Sequence, residues 1–242
     1  MNKSSALLLP TITNAKGILK MEVKGIIFDF NGTLFQDSKL HEDAWRDYSA
    51  KLRGTPFSDE EMHKYMFGRS NEEIITYAIG RKPTPEECLK WANEKEAYYR
   101  EMVLKNPKNI KLVDGAEEFF NYICEKNIPH TIATGSEKTN VDFFIETFHL
   151  DKWFDVDKIV YDDYKIAGKP DPAIYLKALD ILNLDPAQTL VFEDSYSGIR
   201  AANSAHIGRL VAINDNPETF QHKNEVYAVA KNFIGAEKFL NA

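Results

Sequence analysis

The residue types that carry chemistry in this chain stand at the ends of apolar runs. In "GIIFDFNGTLF" (25–35) the run stops at Asp29, and Asn31-Gly32-Thr33 follows. "HTIATG" (130–135) leads into Thr134, Gly135 and Ser136, and "TLVFED" (189–194) ends in Glu193 and Asp194, with Ser195 next. Between these two lies "AGKPDP", which carries Lys169. Acid, hydroxyl, lysine and paired acids thus follow one another in order. Three carboxylates drawn together would repel unless a cation neutralised them, and an all-oxygen donor set favours Mg²⁺. A phosphoryl group held between that ion and Lys169 would have its charge stabilised during transfer. Thr134 and neighbouring backbone N–H groups suit its remaining oxygens. Asp29 is then placed to attack phosphorus and form an aspartyl phosphate.

Such a convergence needs elements that bring strand ends together. "VKGIIFDF" (23–30), "HTIATG" (130–135), "KIVYDD" (158–163), "TLVFED" (189–194) and "RLVAIND" (209–215) are apolar without alternation. That pattern predicts strands of a parallel sheet covered on both faces. Helical stretches separate them. "GAEEFFNYICEKN" (115–127) places Phe119, Tyr122 and Ile123 on one face, and "DPAIYLKALDILN" (171–183) opens with Asp171 as N-cap and Pro172 at the first helical position. The alternation predicts an α/β fold, a Rossmann-like doubly wound parallel sheet, whose ligands bind beyond the carboxyl ends of the strands.

Residues 37–107 break that alternation with four helical stretches, 39–52, 58–68, 71–79 and 84–104, and no strand. They predict an inserted helical cap domain at 37–107, hinged near Gln36–Lys39 and Pro107–Leu112. The α/β core is then 21–36 and 108–242.

The 242 residues, 43% of them apolar, supply one core with a modest insertion. A net charge of −7, with no run of Lys or Arg, argues against nucleic acid as a partner. A small phosphorylated metabolite is compatible with that charge, because a site can be locally basic. No apolar stretch approaches the ~20 residues of a membrane helix, so no membrane association is expected. "MNKSSALLLPTITNAKGILK" has too short an apolar run for a secretory signal, which uses about 7–15 residues. Residues 1–20 therefore read as a leader or extension outside the fold. Cys88 and Cys124 make neither a ligand pattern nor a disulfide framework, which suggests a reducing, cytoplasmic setting. A monomer is expected.

The four pieces "FDFNGTLF", "IATGS", "GKPDP" and "FEDSYSGIRAANSA", in this order across residues 28–205, resemble the haloacid dehalogenase (HAD) superfamily. The likeness is to its β-phosphoglucomutase-like phosphatase branch with a helical cap. It implies Asp29 as the nucleophile, Thr134 and Lys169 on the phosphate, and Mg²⁺ held by Asp29, the backbone carbonyl of Asn31, Glu193 and Asp194. His41 and Lys95 fall where cap-bearing relatives often carry these residues, and with Arg69 they are candidates for substrate contact. Each piece also has a plainer use. "NG" is a common hairpin dipeptide, Glu193-Asp194 suits a helix N-terminus, and Lys169 suits an exposed turn. Ser136 fits a helix N-cap better than the phosphate. His41, Arg69 and Lys95 could be solvated helix charges, and Tyr98-Tyr99 and Phe119-Phe120 read as packing.

Asn31 departs from the resemblance. Relatives that act as phosphatases or mutases usually carry a second aspartate there, which protonates the leaving oxygen and then activates water. An amide cannot exchange that proton near neutral pH, and such help is worth about 10²–10⁴-fold. The expectation is a Mg²⁺-dependent phosphatase acting on a small phosphorylated metabolite such as a sugar phosphate, slowed by Asn31. The alternatives are a β-phosphoglucomutase-type phosphotransferase and a catalytically silent phosphate-binding protein. Relatives of the mutase type place an arginine where Asn71 aligns, which favours the phosphatase.

Overall fold

The computed structural model describes residues 22–66, 69–216, 218–221 and 225–241. The leader assigned to residues 1–20 lies outside them, as does Met21. One six-stranded sheet, parallel throughout, has the order β3-β2-β1-β4-β5-β6. Its strands are β1 (Gly25–Phe28), β2 (His130–Glu137), β3 (Val160–Asp162), β4 (Thr189–Glu193), β5 (Arg209–Ile213) and β6 (Ala228–Ala230). The five expected strands are all present. β6 is an additional edge strand whose three half-buried residues leave too short an apolar run to stand out in the sequence.

Alternation within β1 shows why the runs are continuously apolar. Ile26 and Phe28 pack into a cluster on one face of the sheet and Ile27 into a separate cluster on the other. Helices α5 (Ala116–Glu125) and α6 (Lys138–Phe148) contribute to the first cluster; α7 (Ala173–Leu182) and α8 (Tyr196–Ser204) contribute to the second. Both faces of β1 are therefore dry. The fold is the doubly wound α/β sandwich that the sequence predicts.

Between β1 and β2 run four helices: α1 (Ser38–Arg53), α2 (Asp59–Tyr65), α3 (Asn71–Ile79) and α4 (Pro85–Leu104). They enclose a hydrophobic cluster of their own that includes Trp45, Phe57, Met62 and Ile75. Their starts are written locally. Ser58 with Glu61, Ser70 with Glu73, and Thr84 with Glu87 each form a reciprocal capping box, and Pro85 takes the first turn of α4. The start of α7 lies later than expected. Pro172, not Asp171, is its capping residue, and Asp171 Oδ1 accepts from Ala173 N at 2.9 Å to make the turn before it.

Candidate active site

The sheet order places the site. The chain winds from β1 through β2 to β3 on one side and then crosses back to β4, β5 and β6 on the other, so the carboxyl ends of β1 and β4 flank the point where the winding changes direction. Phe28 pairs with Ile132 of β2 and with Phe192 of β4. The next residues along the three strands, Asp29, Ala133 and Glu193, consequently emerge side by side. Asp29 N is tied to Phe192 O at 3.0 Å, which fixes the acid at this rim.

Lys169 reaches the same point from the loop before α7. Its Nζ donates to Asp29 Oδ1 and to Glu193 Oε1, both at 2.6 Å. Glu193 is fully buried and sits on the amino end of α8. Its Oε2 accepts from the backbone N–H groups of Asp194 and Ser195, both at 2.8 Å, and from the Ser195 hydroxyl at 3.0 Å. Tyr175 donates to its Oε1 at 3.0 Å. The plain expectation of an acid at a helix start and the chemical one thus coincide in one side chain. Asp194 faces the cavity and accepts from Thr33 Oγ1 at 3.2 Å.

Carboxylate oxygens of Asp29, Glu193 and Asp194 all lie within 4.8 Å of one another. Three negative charges here meet one ammonium. Burial pushes the Asp29 carboxyl up to about 7; the Lys169 charge opposes this, and Glu193 adds to it. Burial and then the charges of Glu193 and Asp29 push Asp194 well above the carboxylate range. Burial works against the charge on Lys169, but the two acids hold it well above the usual lysine range. The donor set is hard and all oxygen, and with all three acids ionised it carries two more negative charges than Lys169 offsets. It fits a small divalent cation.

On the other side of Asp29, Asn31 meets the end of β2. Its Oδ1 accepts from Ser136 Oγ at 2.6 Å and from Thr134 Oγ1 at 3.3 Å. The helix N-cap expected of Ser136 is not found at the start of α6. β2 runs on to Glu137, which takes the capping position without a side-chain bond, and the Ser136 hydroxyl turns to Asn31. Gly135 is exposed between these two hydroxyls, leaving its backbone open to the cavity.

A cavity of about 870 Å³ lies above this rim and beneath the helices of residues 38–104. Asp29, Asn31, Thr134, Gly135, Ser136, Lys169 and Asp194 line its floor; His41, Arg69 and Lys95 line its helical side. The structure therefore brings the expected residues to one space, with Glu193 just behind the wall. His41 and Lys95 are not solvated helix charges. Lys95 is 1% exposed, pairs with Glu96 and lies 3.4 Å from His41 Nδ1, while the His41 ring stacks on Tyr99 at 3.9 Å. Arg69 remains half exposed and pairs with Glu73 at 3.3 Å.

Several residues of the site were not expected from the sequence. Asp37 is fully buried beside Asn31 and takes the Tyr99 hydroxyl, so Tyr99 does more than pack. Glu96 accepts from Asn71 Nδ2 at 3.3 Å and from Asn140 Nδ2 at 2.7 Å, and Asn71 also donates to Glu137 Oε1 at 3.1 Å. The far wall of the cavity is thus built around carboxylates, shared between the helical layer and the sheet.

The chain is 31% identical to the phosphorylated carbohydrates phosphatase of Thermotoga maritima over 223 residues, covering 90% of this chain and 97% of that protein. It is 25% identical to a β-phosphoglucomutase of Mycobacterium bovis over 219 residues, 81% of this chain and 83% of that one. The crystal structure of a HAD hydrolase, family IA, variant 3, from Entamoeba histolytica superposes with a TM-score of 0.82 at 37% identity, covering 90% of this chain and 98% of that one. The haloacid dehalogenase-like hydrolase family matches residues 23–206. With that match and this rim of acids around a lysine, the chain belongs to the haloacid dehalogenase-like hydrolases.

Proposed function

We propose that this hydrolase is a Mg²⁺-dependent phosphatase that cleaves a small phosphate monoester, such as a sugar phosphate, through an aspartyl phosphate on Asp29. The observation that carries this reading is the placement of Asp29, on the cavity floor and 2.6 Å from Lys169. Asp29 forms the bond to phosphorus as the bond from phosphorus to the ester oxygen breaks, that oxygen taking a proton from solvent; water then attacks phosphorus and gives up a proton to solvent, freeing inorganic phosphate and returning the carboxylate. Lys169 holds the phosphoryl oxygens, and the Thr134 and Ser136 hydroxyls turn from Asn31 Oδ1 to donate to them. Asp29, Glu193, Asp194 and the backbone carbonyl of Asn31 would hold the ion beside them. When bound, Mg²⁺ would supply electrostatic stabilisation of the phosphoryl oxygens. The helices of residues 37–107 act as a cap that excludes water and selects the substrate.

Asn31 leaves the departing oxygen without a carboxylic proton donor at the usual place, so turnover falls as the leaving group becomes more basic. The far wall supports a single phosphate. Asn71 is held between Glu96 and Glu137, so a second phosphate there would face carboxylates. That speaks against the mutase alternative, in which a sugar bisphosphate must turn around within the site. The phosphatase relative named above acts on phosphorylated carbohydrates, which supports the substrate class.

The test is a phosphate-release screen of phosphorylated metabolites with Mg²⁺ and with chelator, alongside Asp29→Asn. Release should need both the ion and Asp29, and acid quenching should trap a phosphoryl group on Asp29. Isomerisation of a sugar phosphate without release would favour the mutase. Binding of phosphate with no phosphoenzyme from any ester would mean a silent binder.

A further inference from the structure

Asp37 is a fully buried acid to which the reaction above assigns nothing. It occupies the N-cap position of α1, yet its side chain makes no capping bond. The carboxylate turns away from its own helix. Oδ1 accepts from Gly32 N at 3.2 Å, and Oδ2 accepts from Asn31 Nδ2 at 2.6 Å and from the Tyr99 hydroxyl. His41 Nε2 stands 3.4 Å from the same Oδ2. A carboxylate in this setting can only accept, so the amide of Asn31 must turn its nitrogen to Asp37. Its oxygen then has one direction left, towards the hydroxyls of Ser136 and Thr134. The acid at position 37 thereby decides which end of Asn31 faces the phosphate side.

We propose that Asp37 is a positioning residue for the phosphoryl site, and that positions 31 and 37 form a coupled pair in which a single carboxylate is accommodated. An aspartate at position 31 would put an acid oxygen where the amide nitrogen now stands, 2.6 Å from Asp37 Oδ2. Two acceptors would then face each other where an amide now donates, and the remaining group at that gap, His41 Nε2, stands 3.4 Å from Asp37 Oδ2 and 3.5 Å from the present position of the Asn31 nitrogen, too far to replace a 2.6 Å bond to both. Asn31→Asp, the obvious way to restore the usual acid, therefore fails alone. Asn31→Asp with Asp37→Asn exchanges the partners and keeps one donor and one acceptor across the gap.

The acid-base arm of this inference rests on the phosphatase reading; the coupling does not. The experiment compares the parent with Asn31→Asp, Asn31→Ala, Asp37→Asn and the double exchange, by thermal melting and by phosphate release from 4-nitrophenyl phosphate and glycerol phosphate. Asn31→Asp should melt below Asn31→Ala by about 4 °C or more, and the double exchange should recover that loss. On glycerol phosphate, whose leaving group needs a proton, the double exchange should turn over about tenfold or more faster than Asn31→Asp. Asn31→Asp melting with the parent, or matching the double exchange in turnover, overturns the proposal. If Asp37→Asn does not fold, the comparison of Asn31→Asp with Asn31→Ala still decides it. If no protein releases phosphate from either ester while the melting pattern holds, the phosphatase reading falls and the coupling stands.

Discussion

Lys169 meets Asp29 at 2.6 Å and, with the same ammonium, meets Glu193 at 2.6 Å, so one cation serves two buried acids. Removing it should leave both acids uncompensated. For Lys169→Met we expect a loss of about 3–5 kcal/mol in the metal-free protein. In a chain of this size that corresponds to roughly 10 °C in melting temperature. Added Mg²⁺ should return part of that stability, and more than it adds to the parent. A melting curve that matches the parent in chelator would show that Lys169 does not balance these acids.

Asp194 should behave in the opposite sense. Its carboxyl is pushed well up by burial and then by Glu193 and Asp29. An acid raised on folding destabilises the protein increasingly as pH rises from its unfolded value through its folded one. Near neutral pH, holding Asp194 protonated in the folded protein therefore costs stability until a cation arrives. Asp194→Asn keeps an acceptor for Thr33 and removes the titrating carboxyl. It should melt about 2–4 °C above the parent in chelator and lose the rise that Mg²⁺ gives the parent. An unchanged response to Mg²⁺ would remove Asp194 from the proposed metal site.

Much of this arrangement was legible because it follows from local runs. Asp29, Thr134 and Glu193-Asp194 each sit where an apolar strand ends, and the register of β1 with β2 and β4 aligns those ends. Asp37 was not legible, since its meaning depends on the loop of Gly32–Phe35 folding back. That loop closes with Gly32 N on Phe35 O at 2.7 Å and returns position 37 to the side of Asn31. In the sequence, Asp37 is simply an acid before a helix, which predicts a cap. Ser136 failed in the same way: a serine before a helix suggests a cap, and only the extra length of β2 turns it inwards. Glu96 and Asn140 meet across two elements distant in the chain, and no local pattern records that.

Glu96 makes the contact between the helical layer and α6 sensitive to acid. Burial alone would raise its carboxyl, but the charge of Lys95, then His41 and the bond from Asn140 take it down to about 2. A carboxyl lowered on folding stabilises above its unfolded value and loses that contribution as pH falls through its folded value. The parent should therefore lose about 1–3 kcal/mol from this group between roughly pH 4.5 and 2. Glu96→Gln should be less stable at neutral pH and should show a flatter acid limb. Parallel acid limbs for the two proteins would mean that Glu96 does not carry this dependence.

Gly198 offers a steric test of the whole rim, because it lies in the first turn of α8 directly under the Glu193 carboxylate. A Cβ there would stand 1.6 Å from Glu193 Oε1, inside any tolerable contact. Gly198→Ala should therefore displace the acid from Lys169, Tyr175 and Ser195 together while leaving the helix itself able to form. Moving Lys169 by the ~1 Å that follows is enough to cost about 10²-fold in turnover. Shortening the acid should make room again, so Gly198→Ala combined with Glu193→Asp should regain activity over Gly198→Ala alone. Phosphate release and melting temperature measured on the three proteins check this. If Gly198→Ala keeps the parent's turnover, Glu193 does not set the position of Lys169, and the link from α8 through Glu193 to Asp29 fails with it.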